Sequence, residues 1–382
     1  MKTIQPVVLH GCSTWDKELF PLDEFTVRME HLQQIMKEQH LKGVIIYSDV
    51  RNYEKVFYFS NYIPKHSYAI LLISSNGDTK LLAKLAGTRD IPYVQTLTWV
   101  EEIRAIKNLK NEIEEFNRET TQVENGHEGI GICGLDIIPF NVYDEIKGAI
   151  NSIEIKVLDD QLENILRKKR PTERVVMREA GKILNASVKA MKEIHRREGS
   201  VVTAVVEAER LARNQGAQDV RILYSLDFGR SLQPFDKVNE IRNDPMFVYI
   251  AIEYLGYWVD GMVTVAKVKK EIHNKTATLL QYFKVNMKSG VSIGSLLEGA
   301  NQLIEPYSMH PITLEKYGYN IGLSLNQKPF LGTTYNDCLL EEGNVYSVHA
   351  GLTNNEEDNC LLSAIIAIEK NENEIIWSAL ND

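Results

Sequence analysis

Residues 247–265 read FVYIAIEYLGYWVDGMVTV, and this stretch decides the fold. The stretch is rich in apolar and aromatic side chains, and it predicts a strand, a turn and a second strand. One acidic side chain, Asp260, lies near the start of the returning strand. Two later segments belong with it, YGYNIGLSLNQKP at 317–329 and GNVYSVHAG at 343–351. We expect the three segments to line one pocket.

Length and composition indicate a globular protein of two domains. The chain has 382 residues, more than the roughly 250 at which a single core usually stops growing. It is 44% hydrophobic and 25% charged, as soluble domains are. A net charge of −9 argues against nucleic-acid and anionic-membrane partners, which need a concentrated basic face.

The chain shows no targeting or membrane signal. No window is apolar over the roughly 18 residues that a membrane helix needs, and the N-terminus has no signal-peptide pattern. The four cysteines lie far apart and form no CxxC pair, which favours free thiols in a reducing compartment. We therefore expect a cytoplasmic protein.

Helix and strand patterns alternate through a first domain, predicted over residues 1–160. Strands are expected at LKGVIIYSDV, at Tyr68 to Ser74 and at LLAKL, and a charged amphipathic helix at Glu101 to Phe116. These elements predict a small α/β domain with a mixed sheet. Residues 161–382 begin with long amphipathic helices and continue mainly with strands, which predicts an α+β second domain.

Four segments together resemble one known family. ILRKKRPTERVVMREAGKI, EYLGYWVDGMVTV, YGYNIGLSLNQKPFL and LEEGNVYSVHAG occur in the order and spacing of the pita-bread family. That family contains creatinases, prolidases, Xaa-Pro aminopeptidases and methionine aminopeptidases. The first domain is similar to the creatinase/prolidase N-terminal domain. The resemblance implies a C-terminal pita-bread domain, and it implies a homodimer.

The resemblance also shows where this chain departs from the family pattern. The family's peptidases hold two metal ions with two aspartates, a histidine and two glutamates. Only one of these ligand positions keeps its residue type; in order the positions fall on Tyr249, Asp260, Tyr319, His349 and either Leu362 or Ser363. One carboxylate, one imidazole and two phenols are a poor donor set for a pair of hard divalent cations. We therefore predict no metal and no other cofactor, although a single weakly held ion at Asp260 and His349 is conceivable.

Metal-independent creatinases belong to the same family, so their functional positions were compared too. The family's proton-transferring histidine falls on Phe235, and a second histidine falls on Asn326. The glutamate after it falls on Gln327, and the glutamate that follows the second aspartate in creatinase falls on Met262. The chain therefore also differs from a standard creatinase.

The replaced positions nevertheless carry polar groups with catalytic potential. We predict that His349 is a general acid or base and that Asp260 orients it. Tyr249 and Tyr319 are candidate donors to an oxyanion. Alternatively, all four are core residues whose polar atoms are satisfied internally.

Five further residues are candidates for substrate binding. They are Arg230, Phe235, Asn326, Gln327 and His66, the last from a loop that reaches the partner's pocket in creatinase-like dimers, although a plain surface loop is the simpler interpretation. Glu253 is expected on the opposite strand face, exposed to solvent.

Three functions remain open at this point. The first is a metal-independent enzyme that acts on a C–N bond of a small amino-acid-like, amide or amidine substrate. The second is a catalytically inactive pseudopeptidase that serves as a binding module. The third is an Xaa-Pro-type metallopeptidase.

Overall fold

The computed structural model describes residues 14–65, 67–121, 128–150, 153–225, 227, 229–234, 244–304, 307–309, 313, 316–354 and 358–380. The chain divides into two compact units, Met1–Leu166 and Arg167–Asp382. Within the described ranges, none of the helices combines the length and the apolar character that crossing a bilayer requires.

The first unit is built on a mixed six-stranded sheet. Its strands are β1 (Leu41–Asp49), β2 (Tyr68–Ser74), β3 (Thr79–Ala83), β4 (Glu102–Ala105), β5 (Gly129–Cys133) and β6 (Ile155–Val157), in the spatial order β4-β3-β2-β1-β5-β6. The helices are α1 (Leu22–Glu38), α2 (Glu54–Ser60), α3 (Ile91–Val94), α4 (Leu109–Thr121), α5 (Phe140–Ile150) and α6 (Asp159–Arg167). Strand β1 pairs antiparallel with β2 and parallel with β5.

The helix predicted from Glu101 to Phe116 is wrong in its first half. Residues 102–105 form β4, which pairs in parallel with β3, and the helix begins only at Leu109. Ile103 and Ala105 alternate with more exposed neighbours, which is the two-residue period of a strand. The charged residues made this segment resemble the amphipathic helix that follows it. In the structure Arg104 extends from the strand and pairs with Glu112 and Glu115 of α4.

In the described residues, the second unit contains two sheets and four α-helices. Its helices are α7 (Pro171–Glu198), α8 (Val201–Asn214), α9 (Glu271–Asn286) and α10 (Ile293–Ile304). One sheet has the order β10-β9-β7-β8, formed by β7 (Asp219–Tyr224), β8 (Gln233–Pro234), β9 (Met246–Tyr254) and β10 (Tyr257–Val265). The other has the order β13-β12-β14-β15-β16, and β11 also pairs with β14; its strands are β11 (Ser308–Met309), β12 (Gly318–Asn320), β13 (Gln327–Phe330), β14 (Val345–Thr353), β15 (Asn359–Ala367) and β16 (Glu374–Ser378).

The helices of the second unit cover the outer faces of the two sheets. Helix α7 packs on β9 and β10, and α9 packs on β14 and β15. Helix α7 begins at Pro171, where a missing N–H costs nothing, and ends at Gly199, which has φ 70°. The inner faces then meet where β10 contacts β14 and β15. The predicted α+β class is confirmed, with helices outside and antiparallel strands inside.

Candidate active site

The predicted strand pair places two polar side chains on one face. Strands β9 and β10 pair in antiparallel register, with Asp260 opposite Ala251 and Met262 opposite Tyr249. Side chains of directly paired residues lie on the same face of a sheet, and every second residue along a strand returns to that face. Tyr249 and Asp260 are therefore diagonal neighbours on one face.

The second sheet contributes four further polar side chains. Tyr319 pairs with Ser347, and His349 pairs with Ser363, so these four residues share a face. Gly318, with φ 146°, precedes Tyr319, and a Cβ added there would lie 2.0 Å from the Ser347 carbonyl oxygen. Glycine at this position thus permits the close strand pairing that sets Tyr319 beside Ser347.

A hydrogen-bond network surrounds Asp260, whose side chain is fully buried. Its Oδ2 accepts from the Tyr249 hydroxyl at 3.1 Å and from the Tyr319 hydroxyl, while its Oδ1 accepts from the Ser347 hydroxyl. The Ser347 Oγ lies 2.9 Å from Nε2 of His349, and that nitrogen lies 3.7 Å from Asp260 Oδ2. The structure thus brings together the four predicted catalytic residues and adds Ser347. We call these five residues, Tyr249, Asp260, Tyr319, Ser347 and His349, the Asp260 network.

Burial and neighbouring groups shift the pKa of Asp260, Tyr249 and Tyr319 in opposite directions. Burial opposes ionisation of Asp260, but contacts from His349, Ser347 and Tyr319 outweigh it and hold the pKa of the carboxyl below its usual value. Burial and the charge of Asp260 raise the pKa of Tyr249 and Tyr319 well above the usual tyrosine value. Asp260 is therefore a carboxylate at neutral pH, and each phenol keeps its proton.

This protonation pattern changes the role available to the two tyrosines. A phenol has a single O–H, and in both tyrosines it donates to Asp260. The hydroxyl proton that each tyrosine was predicted to donate to an oxyanion is therefore already donated to Asp260. The tyrosines instead stabilise the carboxylate.

The same pattern orients the imidazole of His349. Since the Ser347 hydroxyl donates to Asp260, its lone pair is left to accept the Nε2–H of His349. Nδ1 is then the basic nitrogen, and among the described residues it has no hydrogen-bond partner. His349 is 5% exposed, and its ring meets that of Tyr319 edge-on, with the centroids 5.0 Å apart.

Sequence reasoning missed Ser347 and left the last ligand position open. Ser347 lies two residues before His349, so the strand period alone places both on one face. On β15, Ser363 pairs with His349 and lies on the face of the Asp260 network, whereas Leu362 pairs with Ala350 and packs in the core under α9. Ser363 is bound to the backbone of Met262 through an N–H···Oγ bond of 2.6 Å.

The prediction for Glu253 is wrong. Glu253 is 3% exposed, and it lies on the face of Asp260, because it pairs with Trp258, two residues before Asp260. Its strand neighbour on β7 is Asp219.

The predicted substrate-binding residues lie in several places. Arg230 is exposed in the loop after β7. Asn326 accepts from the Lys316 ammonium at 3.1 Å, and Lys316 also lies over the ring of Tyr319. Gln327 accepts from the buried Lys169 at 2.9 Å and thus belongs to a different polar cluster. Phe235 and His66 lie outside the described residues.

The donor set around Asp260 does not fit a pair of divalent cations. Both carboxylate oxygens already accept hydroxyl protons, and Asp260 is the one carboxylate among the five residues of the Asp260 network. Across the part of the chain that the structure describes, no three His, Cys, Asp or Glu side chains are placed to hold a metal ion.

Comparisons with known proteins agree with this architecture. The model of metallopeptidase family M24 matches residues 175–371, and the model of the creatinase/prolidase N-terminal domain matches residues 28–167. No curated protein sequence matches the chain.

Solved structures share the fold at low sequence identity. An Xaa-Pro dipeptidase from Bacillus anthracis superposes with a TM-score of 0.75 at 19% identity, over 94% of this chain and 98% of that one. A prolidase from Pyrococcus horikoshii OT3 gives 0.73 at 18% identity, over 92% and 97% of the two chains. An X-Pro aminopeptidase from Thermotoga maritima MSB8 gives 0.72 at 18% identity, again over 92% and 97%.

Proposed function

Because the chain belongs to metallopeptidase family M24, we propose that it is a hydrolase that works without a dinuclear metal centre. Its substrate is a small amino-acid-like, amide or amidine molecule, and the bond that breaks is a C–N bond. Structures named dipeptidase, prolidase and aminopeptidase share the fold, which supports a substrate of this kind.

One observation carries the proposal: the Ser347 hydroxyl donates to Asp260, and its oxygen lies 2.9 Å from Nε2 of His349, an arrangement that favours the proton on Nε2 and leaves Nδ1 to accept one. A carboxylate that holds an imidazole in one tautomer, here through Ser347, also stabilises the imidazolium that forms during proton transfer.

The proposed reaction uses one water molecule. His349 Nδ1 removes a proton from the water as its oxygen adds to the substrate carbon. The C–N bond then breaks, and His349 returns the proton to the departing nitrogen. Asp260 and Ser347 keep their positions throughout.

The experiment combines elemental analysis with a screen of small amides, amidines and dipeptides. We expect less than one equivalent of divalent metal and a turnover that chelators leave unchanged. His349→Gln is expected to lower turnover at least about a hundredfold, the usual size of a general acid–base contribution. His31→Gln, at an exposed position of α1, is the matched control and is expected to leave turnover intact. Two tightly bound ions with chelator-sensitive peptidase activity would instead identify an Xaa-Pro-type metallopeptidase.

A second candidate is a pseudopeptidase that binds a ligand without chemistry. It is favoured by the completeness of the Asp260 network, in which buried polar groups satisfy one another without a substrate. In this case some compounds of the screen bind and raise the melting temperature, but none is converted.

We also propose that the protein is a homodimer and that its partners are limited to small molecules and a second copy of the chain. The proposal follows from the family and is checked by light scattering on the eluting protein. A mass near the 43.6 kDa of one chain would contradict it.

A further inference from the structure

The sheet that carries Asp260 also carries an arginine on the same face. Arg221 of β7 pairs with Ala251 of β9, and Ala251 pairs in turn with Asp260 of β10. Directly paired residues project to the same side of a sheet, so these three residues form one row across three strands. Ala251, in the middle of the row, has only a methyl group as its side chain. A longer side chain from β7 can therefore extend across it toward β10.

The side chain of Arg221 does extend in that direction. Its Cζ lies 4.3 Å from the centroid of the Trp258 ring, and Trp258 is on β10, two residues before Asp260. Two residues of a strand span roughly 7 Å, so the guanidinium lies close to the Asp260 network. The pKa of Tyr249 reflects the same proximity: burial raises it, and the positive charge of Arg221 acts in the opposite direction.

The charged groups around Arg221 hold the guanidinium by one edge. Its Nε–H donates to Asp219 Oδ2 at 3.0 Å, and among the described residues neither Nη1 nor Nη2 has a hydrogen-bond partner. Asp219 also lies 3.7 Å from Arg213, which has Glu209 at 3.6 Å. Glu253, beside Asp219 on the same face, forms no ion pair with Arg221. The side chain of Arg221 is 58% exposed, so its two terminal nitrogens are accessible to a ligand.

Arg221 does not serve to neutralise the buried carboxylate beside it. Asp260 is stabilised by the hydroxyl groups of Tyr249, Tyr319 and Ser347, and Arg221 donates no hydrogen bond to it. The guanidinium is thus oriented by Asp219 and supported on the aromatic ring of Trp258. Its remaining edge can present two parallel N–H donors, a geometry that matches the two oxygens of a carboxylate.

We propose that Arg221 binds a carboxylate group of the substrate. The substrate class is then narrowed to small molecules with a free carboxylate near the C–N bond that breaks, such as N-acylated amino acids and dipeptides. This inference rests on the function proposed for the Asp260 network. Arg221 determines specificity and takes no part in the proton transfer, which belongs to His349 on the other sheet.

The first test compares N-acetylglycine with N-acetylglycinamide, which has the same amide bond but no carboxylate. Ligand-observed NMR on the full-length protein, at constant ionic strength, measures both dissociation constants. We expect N-acetylglycine to bind about ten- to a hundredfold more tightly, the usual worth of a hydrogen bond to a charged group. Arg221→Gln is expected to abolish the difference. Equal affinity of the two compounds for the wild-type protein, or no saturable binding of N-acetylglycine, would overturn the proposal.

Matched variants separate recognition of the carboxylate from a general effect of charge. Arg221→Lys keeps the charge but loses the parallel pair of donors, so we expect it to retain only part of the affinity. Arg210→Gln is the control, because Arg210 is exposed on α8, pairs with Glu207 and changes the net charge equally. An equal loss of affinity in Arg210→Gln and Arg221→Gln would show a diffuse charge effect and overturn the proposal. Similar urea midpoints for the two variants are expected, since both side chains are exposed.

Kinetics separate this inference from the reaction on which it rests. For a carboxylate substrate found in the screen, Arg221→Gln is expected to raise KM at least about tenfold and to leave kcat nearly unchanged, whereas His349→Gln lowers kcat. If N-acetylglycine binds through Arg221 but no compound is converted, the reaction is wrong and the binding role stands. If compounds are converted and Arg221→Gln leaves their KM unchanged, the reaction stands and the role of Arg221 is overturned.

Discussion

Ser347 connects Asp260 to His349: its hydroxyl donates to Asp260 Oδ1, and its oxygen lies 2.9 Å from Nε2 of the imidazole. The two groups that sequence reasoning paired directly are 3.7 Å apart at the nearest atoms. The serine therefore links the carboxylate to the imidazole in this site.

The first prediction concerns this link. Ser347→Ala leaves a buried carboxylate oxygen without its donor, which is expected to cost about 1–3 kcal/mol of unfolding free energy. The substitution also removes the hydroxyl that fixes the tautomer of His349, so turnover is expected to fall as well. Urea unfolding measures the first effect, with the exposed Ser295→Ala as control; equal midpoints for the two variants would contradict the prediction.

The second prediction ranks the two tyrosines. Tyr319→Phe and Tyr249→Phe each remove one donor to Asp260, at about 1.5–3 kcal/mol for a hydrogen bond to a charged group. Tyr319 is 5% exposed, whereas Tyr249 is only half-buried and its bond is 3.1 Å long. We therefore expect the larger loss of stability for Tyr319→Phe. A larger loss of stability for Tyr249→Phe would contradict this ranking, because it would show that solvent does not replace the lost hydrogen bond at that position.

The third prediction tests the close strand pairing at Gly318. Ala at either Gly318 or Gly290 is strained by a positive φ, at about 1–2 kcal/mol. Gly290 has open space around it, whereas a Cβ on Gly318 would meet backbone at 2.0 Å. We expect Gly318→Ala to cost more than about 3 kcal/mol and Gly290→Ala to cost only the strain. Chemical denaturation of the two variants decides the point.

The fourth prediction is a pH dependence at Lys169. Its ammonium is buried and donates to Asn320, to Gln327 at 2.9 Å and to the Arg167 carbonyl at 3.1 Å. Burial lowers the pKa of Lys169 from its ordinary 10.5 to about 7, against the attraction of Glu173. Between these values the unfolded chain binds a proton that the folded chain has released, so stability rises with pH there.

Lys169→Met removes that dependence. We expect the unfolding free energy of the wild type, relative to that of this variant, to rise by up to about 1.4 kcal/mol per pH unit between pH 7 and 10.5. Below pH 7 we expect no change in this difference. Unfolding curves at pH 6, 8 and 10 measure the difference. Lys168→Met is the control, because Lys168 is exposed and pairs with Glu341. A difference that is flat with pH would show that Lys169 stays charged throughout.

Much of the site could be predicted because strand periodicity is a local property. The pair of strands around Asp260 follows from two apolar runs and a turn, and the resemblance of later motifs aligned Tyr319 and His349 with it. Tyr249, Asp260, Tyr319 and His349 do meet in one network.

The errors arose where a distant partner decides the outcome. Residues 102–105 form a strand because they pair in parallel with the edge of β3. The charge of Arg104 is neutralised by Glu112 and Glu115 of helix α4, which follows in the chain. Glu253 is buried because of the sheet that forms around it. Ser347 was overlooked because a serine in a strand carries no signal until the carboxylate of another sheet lies against it.

The crowded carboxylate of Asp260 also bears on how this chain could have changed over evolutionary time. A divalent cation could bind Asp260 only by displacing a hydroxyl from it. Each displaced hydroxyl would then be a buried polar group without its hydrogen-bond acceptor. A single substitution that adds one metal ligand would therefore lose a hydrogen bond before any ion is bound. A metal-binding version of this site would need several coordinated substitutions across both sheets.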